Sequence, residues 1–253
     1  MKETLYTIPL TDAFLANDEC PFCFIERNVE QDLLDLVLGS GSSYMESDMR
    51  DLTDKAGFCR SHFKKMFDYG NTLGNGWILK THYIHMNQEL EKQIKMFAPG
   101  KASLMSKIKK SDETQNTMAN FIREQEKSCY ICGQFETTYK RYLDTFFFMY
   151  KKDGEMKKML ESSKGLCLHH FGDICAEADR QLNDKQKTEL YDLLFRLMRE
   201  NMARVGEDVA WLVEKFDYKN KDADWKNSRD AIQRGMQKLW GGYPADPVYQ
   251  QKK

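Results

Sequence analysis

The sequence predicts an all-α protein made of two pseudo-symmetric helical repeat units and a C-terminal helix. Apolar residues recur at helical spacing along nearly the whole chain, and no alternating strand pattern competes with them. In addition, one pattern of cysteine and histidine occurs twice, within residues 20–62 and again within residues 129–170. When a whole supersecondary unit recurs, we expect the two copies to pack about a pseudo-twofold axis.

The repeated pattern has the composition of a metal site. Each copy begins with C-x-x-C and ends with G-[FL]-C-x-x-H, and the two sets of candidate ligands are Cys20, Cys23, Cys59 and His62, then Cys129, Cys132, Cys167 and His170. Three thiolates and one imidazole suffice for a closed tetrahedral site. We expect each copy to close its own helical hairpin around one metal, because two antiparallel arms of similar length would bring the last two ligands back to the first two.

The first unit is predicted over residues 1–100. A lead-in helix delivers the chain to Cys20, and two hairpin helices follow, the first stopped at Gly39 and the second running from a capping box at Ser43–Glu46 to Gly57. A long helix is predicted next, with a stripe of apolar residues along one face: Leu79, Tyr83, Met86, Leu90, Ile94 and Phe97.

The second unit is predicted over residues 114–220, after a solvated Lys-rich linker at 101–113. Its hairpin carries a broad aromatic face, which we interpret as core rather than as a ligand groove: Phe135, Tyr139, Tyr142, Leu143, Phe146, Phe147 and Tyr150. Residues 221–253 are predicted to form a C-terminal helix ending at Gly241 and a loosely ordered tail.

Composition narrows the possible surroundings and partners. The 253 residues carry a formal net charge of −1, which makes nucleic acid an unlikely partner, and the sequence contains neither a membrane-length apolar run nor a signal-peptide pattern. These features predict a cytoplasmic protein that does not enter a membrane. In that reducing compartment, seven cysteines indicate metal or redox chemistry rather than structural disulfides.

The favoured cofactor is zinc, two ions per chain, because full ligation by three thiolates and one imidazole leaves no position for water. An iron–sulfur cluster is the alternative, and metal-free thiols are a third possibility. His169 and His170 compete as the fourth ligand of the second copy. The spacing in the first copy, Cys59 to His62, favours His170 and leaves His169 at the surface or beside the ligands.

Three other features of the sequence have both a functional and a structural interpretation. The C-P-F-C at residues 20–23 resembles the motif of glutaredoxins, but that context requires a strand before the motif, and none is predicted. His82, His85 and Glu89 share one flank of the long helix and could hold a catalytic metal, although the second unit has no counterpart and a polar flank explains them as well. Cys175 is interpreted as a small buried side chain.

The repeated C-x-x-C and G-[FL]-C-x-x-H pattern over nearly the whole chain resembles an uncharacterised bacterial family of duplicated Cys-rich helical proteins, common in Gram-positive anaerobes. The resemblance implies the fold and the metal ligands only. From the residues we expect a zinc-stabilised binding or scaffold protein with an unknown protein partner or self-association, because no set of nucleophile, base and orienting residue is readable. The alternatives are an electron-transfer protein and a thiol redox switch, with the second copy as the site that would release zinc.

Overall fold

The structure, a computed structural model, describes residues 5–41, 44, 46–97, 116–152, 154–242 and 244. The helices are α1 (Thr7–Leu15), α2 (Pro21–Leu38), α3 (Ser47–Ala56), α4 (Arg60–Tyr69), α5 (Thr72–Met96), α6 (Thr117–Lys127), α7 (Tyr130–Lys152), α8 (Gly154–Ser162), α9 (Leu168–Gln181), α10 (Asp184–Glu214) and α11 (Ala231–Trp240), with a 3₁₀ turn at Tyr218–Asn220. No strand occurs in these ranges, so the all-α prediction is confirmed.

Local capping chemistry explains where several helices begin. Asn71, Asn116 and Asn183 each accept a hydrogen bond from a backbone N–H in the first turn of the helix that follows. At Asn183 the bond is reciprocal, because the Gln186 side chain accepts from the Asn183 N–H. These bonds satisfy backbone donors that have no partner inside the helix.

Two compact units make up the chain, and their boundaries differ from the expected ones. Among the described residues, the terminal unit combines the segment up to Val29 with the segment from Thr137 onward, and the central unit is Glu30–Glu136. Both boundaries fall inside helices, α2 and α7, and neither falls in the linker at 101–113. The expected division into 1–100, 114–220 and 221–253 is therefore not the division that the structure shows.

Unequal hairpin arms explain this result. The helix α2 has 18 residues and is roughly 27 Å long, whereas α3 has 10 residues and returns only roughly 15 Å. In the second hairpin, α7 has 23 residues and α8 has 9, so that the return is again far too short. The chain after each hairpin does not come back to the C-x-x-C at its start, and our expectation of arms of similar length was wrong.

The terminal unit has an aromatic core. The rings of Phe14 and Phe146 stack at 6.1 Å between centroids, and Phe22 meets Phe146 edge-on at 5.6 Å. Tyr142, Leu143, Phe146, Phe147 and Tyr150 of α7 are buried, so most of the predicted aromatic face is core. Its partners include α1 and the first turn of α2, which supply Phe14 and Phe22. On the other side of this unit, α9, α10 and α11 pack together.

The central unit packs α3, α4 and α6 against α5. Its core consists of Leu34, Val37, Leu38, Phe58, Met66, Tyr69, Ile78, Cys129, Tyr130 and Ile131. On α5 only Gly74 and Ile78 are buried. The predicted stripe on this helix is therefore largely uncovered among the described residues, and Tyr83 and Ile94 are more than half exposed.

Some predictions concern residues outside the described ranges. These are the Lys-rich linker at 101–113, the Ser43 start of the capping box, the turn residue Asp153 and nearly all of the tail from Tyr243. The pseudo-twofold relation between the repeats also stays a prediction. Within the described ranges, no helix has the length and apolar composition needed to cross a membrane.

Candidate metal centres

The eight predicted ligands form two groups, but the groups exchange partners between the repeats. The terminal site consists of Cys20, Cys23, Cys167 and His170, and the central site consists of Cys59, His62, Cys129 and Cys132. In each group the donor atoms all lie within 4.8 Å of one another. The pairing of Cys20 and Cys23 with Cys59 and His62, and of Cys129 and Cys132 with Cys167 and His170, was wrong. The short return arms described above are the physical reason.

Helix beginnings place the ligands of both sites. Cys20 and Cys129 directly precede α2 and α7, while Cys59 and Cys167 are the N-caps of α4 and α9. The N–H of His170 also donates to Sγ of Cys167 at 3.4 Å. Two helix N-termini therefore meet at each site, and their partial positive charge stabilises thiolates there.

The donor atoms of the terminal site have tetrahedral spacing. His170 Nδ1 lies 3.3 Å from Cys20 Sγ, 3.5 Å from Cys23 Sγ and 3.1 Å from Cys167 Sγ. The Cys23 and Cys167 sulfurs are 3.7 Å apart. A tetrahedral zinc ion with ordinary bond lengths separates S from N by roughly 3.6 Å and S from S by roughly 3.8 Å. A disulfide would need about 2.05 Å between sulfurs.

The central site repeats this spacing. His62 Nδ1 lies 3.2 Å from Cys59 Sγ, 3.3 Å from Cys129 Sγ and 3.4 Å from Cys132 Sγ, and the Cys59 and Cys132 sulfurs are 3.9 Å apart. All seven cysteines are free. The donor atoms of both groups therefore lie at distances close to those around one tetrahedral metal ion.

A glutamate holds the outer nitrogen of each histidine. His62 Nε2 donates to Glu30 Oε1 at 3.1 Å. His170 Nε2 lies 3.2 Å from Glu26 Oε1, an ion-pair distance at which the angle falls short of a hydrogen bond. A carboxylate on the outer nitrogen fixes the imidazole tautomer and orients Nδ1 toward the metal. Neither glutamate was predicted from the sequence, although they lie one turn apart on α2, directly after the first C-x-x-C.

The two sites differ in exposure. All four ligands of the terminal site are fully buried, and the end of α11 covers them: a side chain added at Gly241 would lie 3.5 Å from Cys167 Sγ and 3.6 Å from Cys23 Sγ. In the central site Cys59 and Cys132 are only half-buried. A cavity of about 420 Å³ opens beside Cys59, and Phe58, Arg60, Ile122, Gln125 and Glu126 complete its lining.

In the metal-free central site, the pKa values of His62 and Cys132 are raised, whereas that of Cys129 is lowered. Burial opposes the charged form of His62, but hydrogen bonds to the Cys129 sulfur and to Glu30 outweigh it and raise the His62 pKa to about 10. Burial likewise opposes the Cys129 thiolate, yet the hydrogen bond from His62 lowers the Cys129 pKa to about 6. Burial and the neighbouring Cys129 raise the pKa of Cys132 to about 12. A metal ion must therefore displace protons from this site.

The terminal site shows the same division. Burial opposes the imidazolium of His170, but hydrogen bonds to Cys167 and Cys20 raise its pKa to about 12. Hydrogen bonds from Cys20 and Cys23 depress the pKa of Cys167, and the hydrogen bond with Cys167 raises that of Cys23. This site too combines an imidazolium with a thiolate when no metal is bound.

The remaining candidates are not assembled into a site of their own. His82 Nδ1 donates to the Asp54 carbonyl at 2.9 Å, and Glu89 pairs with Lys92, so these two side chains are engaged elsewhere. His82, His85 and Glu89 are not among the metal-ligand groups of the described residues. Cys175 is half-buried and outside both sites.

His169 is exposed, with Nε2 3.7 Å from Asp173. It forms a third group with Glu26 and His170, but that group shares His170 with the terminal site. His170, rather than His169, contributes a nitrogen to the cysteines, as the spacing of the first copy predicted.

Residues 1–246 match the model of a family of unknown function, DUF6062. The chain belongs to this family. The expectation of an uncharacterised family is confirmed, while its distribution among bacteria stays a prediction. No curated protein and no solved structure matches the chain.

Proposed function

We propose that the protein is a helical scaffold in which each compact unit is closed by one zinc ion. The observation that carries this proposal is the pair of four-atom groups at tetrahedral spacing, each with three sulfurs and one Nδ1. Zinc is the metal that most commonly binds three thiolates and one imidazole in tetrahedral geometry. A cluster of several irons would spread its four ligands further apart, because the ligands bind different iron atoms.

A structural role follows from closed coordination. Four protein ligands leave no position for water or substrate, whereas catalytic zinc sites keep one open. The terminal site is also inaccessible, since its ligands are fully buried. We therefore propose scaffolding rather than catalysis for both metals.

A binding role for this scaffold, through self-association or a protein partner, is supported by α5. Tyr83, Ile84 and Ile94 are more than half exposed on a single long helix. Exposed apolar side chains grouped on one element are typical of interaction surfaces. Free cysteines throughout are compatible with a reducing compartment, and we keep a cytoplasmic location within the proposal.

The test is elemental analysis of protein purified without added metal. The expected result is two zinc ions per chain, and Cys175→Ser, which leaves both sites intact, should keep both. Iron with acid-labile sulfide would indicate an iron–sulfur cluster and an electron-transfer function instead. A chain that folds without bound metal would contradict the proposal.

A second candidate function is a redox switch. We now propose this switch at the central site rather than at the site of Cys167. Half-buried Cys59 and Cys132 and the cavity beside Cys59 favour the central site, whereas our sequence-based choice was the site of Cys167. Hydrogen peroxide would oxidise the Cys59 thiolate to a sulfenic acid, with release of hydroxide. Attack by the Cys132 thiolate would then form a disulfide and release a second hydroxide. The zinc ion loses two ligands in this reaction.

Peroxide titration with simultaneous measurement of zinc and modified cysteines tests the switch. The expected order is one zinc ion released first, with oxidation at Cys59 and Cys132, while the terminal site stays intact. Binding of a hydrophobic dye should rise with that first zinc. Earlier oxidation of Cys167, or zinc release without dye binding, would exclude a switch at the central site.

A further inference from the structure

A charged cavity lies in the terminal unit, and none of that unit's candidate metal ligands lines it. Its volume is about 320 Å³, and six residues line it: Glu19, Lys164, Arg204, Asn227, Asp230 and Arg234. Small-molecule sites in proteins begin at about this size. Three of the lining residues are cations and two are carboxylates, so the cavity favours an anion.

Glu19 is the unusual member of this set, because its side chain is 3% exposed and only one of its oxygens is satisfied. Oε2 accepts from Arg204 Nη2 at 2.5 Å and lies 3.3 Å from the buried ammonium of Lys238. Oε1 is buried and accepts no hydrogen bond from any described residue. A buried carboxylate oxygen without a donor is costly, and such an oxygen beside a cavity calls for a donor from outside the protein.

Cations surround the Glu19 carboxylate: Arg204 donates to Oε2, the Lys238 ammonium lies 3.3 Å from Oε2, and Lys164 Nζ lies 4.0 Å from Oε1. A carboxylate held in this way accepts hydrogen bonds and donates none. A ligand must bring a donor to it.

The surroundings of Oε1 select the kind of donor. Arg234 Nη1 stands 3.7 Å away and Lys164 Nζ 4.0 Å away, both beyond hydrogen-bond reach. An ammonium group placed on Oε1 would meet these two cations at close range, and repulsion would oppose it. A hydroxyl carries no charge, and it can donate to Oε1 while accepting from a neighbouring cation.

Two cations have capacity left for the anionic part of a ligand. Lys164 donates one hydrogen bond, to the Asn17 carbonyl at 2.8 Å, so two of its three N–H bonds remain. Arg204 uses Nη2 on Glu19 and Nε on Asn201, and Nη1 makes no hydrogen bond with a described residue. Arg234, by contrast, is committed to Asp208, Asp230 and the Asn227 carbonyl.

We propose that this cavity binds a small hydroxycarboxylate. Its hydroxyl donates to Oε1 of Glu19, and a carboxylate is held by Lys164 and Arg204. At roughly 30 Å³ for each water-sized group, the cavity admits a molecule of about ten heavy atoms. The inference does not depend on which metal the sites hold.

Malate, succinate and aspartate form a matched series, because they share two carboxylates and differ only in a hydroxyl, a hydrogen or an ammonium group. Isothermal titration of the metal-loaded full chain with each acid tests the proposal. Malate should bind, and succinate and aspartate should each bind at least about tenfold more weakly, as expected for one hydrogen bond to a charged group.

Lys164→Gln should weaken malate binding about tenfold, whereas Lys158→Gln, an exposed lysine of the same unit, should leave it unchanged. Unchanged metal content of Lys164→Gln shows that the unit is still folded. If malate does not bind the wild type, Oε1 is simply hydrated and the proposal is overturned. Equal binding of malate and succinate, or no effect of Lys164→Gln, overturns it as well.

Discussion

Exchange of ligands between the repeats makes a sharp prediction about metal content. The double variant Cys23→Ser with Cys167→Ser removes two ligands from the terminal site and none from the central site. It should therefore lose one of two metal ions. The double variant Cys23→Ser with Cys59→Ser damages both sites and should lose both ions. If each repeat closed its own site, these two results would be reversed.

The cost in stability follows from the chain length that each metal closes. Cys23 and Cys167 are 144 residues apart, and Cys59 and Cys132 are 73 apart. By the chain-entropy estimate for a covalent cross-link, closing loops of these lengths is worth about 5 and about 4 kcal/mol. Net folding stabilities are only about 5–15 kcal/mol, so loss of either metal removes a large share.

The assay is metal analysis of the two double variants beside the wild type, with urea unfolding of each. Cys175→Ser serves as the control for removing a cysteine outside both sites. One metal retained by Cys23→Ser with Cys59→Ser, and none by Cys23→Ser with Cys167→Ser, would refute the exchanged arrangement. A terminal unit as stable without its metal as with it would refute the estimate from loop closure.

Three further predictions follow from the central unit. The pKa of metal-free His62 is raised to about 10 and that of Cys132 to about 12, so zinc must displace at least two protons from this site between pH 7 and 9. The zinc affinity of the central site should therefore rise about 100-fold per pH unit, and a pH indicator should register the released protons. Glu30→Gln should lower zinc affinity about 10- to 100-fold in a chelator competition, because His62 loses its charged partner. Gly57→Ala should cost about 2–3 kcal/mol in urea unfolding, because Gly57 has φ +59° and an added Cβ would lie 2.9 Å from the His82 ring.

Each of these predictions has a matched control. If the zinc affinity of the central site stays constant or falls as the pH rises, the metal-free site is already deprotonated. Glu207→Gln, an exposed site in the terminal unit, should leave zinc affinity unchanged. Gly70 also has positive φ, at +85°, but an added Cβ would meet nothing closer than 4.0 Å, so Gly70→Ala should cost only about 1 kcal/mol. Equal costs at Gly57 and Gly70 would show that the His82 contact is unimportant.

Local patterns made the fold class predictable, and they singled out the eight residues that the structure gathers into two groups. Helical periodicity and the C-x-x-C and C-x-x-H spacings are properties of neighbouring residues, and the structure retains them. The repeat favoured His170 over His169, and His170 is the histidine that lies beside the three cysteines. These patterns can be recognised without knowing which distant segments of the chain are in contact.

The pairing of ligands was not predictable in this way, because it depends on where helices end. Helix α3 has only 10 residues against 18 in α2, and it begins after Glu46 without a side-chain capping hydrogen bond that would mark its start. The Glu19 cavity was missed for a related reason. Its residues come from four distant parts of the chain, and Glu19 looked like an ordinary lead-in residue before Cys20.

Exchanged ligands also impose an order on folding during synthesis. Cys20, Cys23, Cys59 and His62 leave the ribosome before the other two members of either site, and 67 residues separate His62 from Cys129. At roughly 5–20 residues per second, the nascent chain spends roughly 3–13 s with a complete but incorrect Cys3His set. Zinc bound in that interval would hold the wrong ligands together. If the proposed zinc binds this early, correct assembly requires the ion to pass from one thiolate to another.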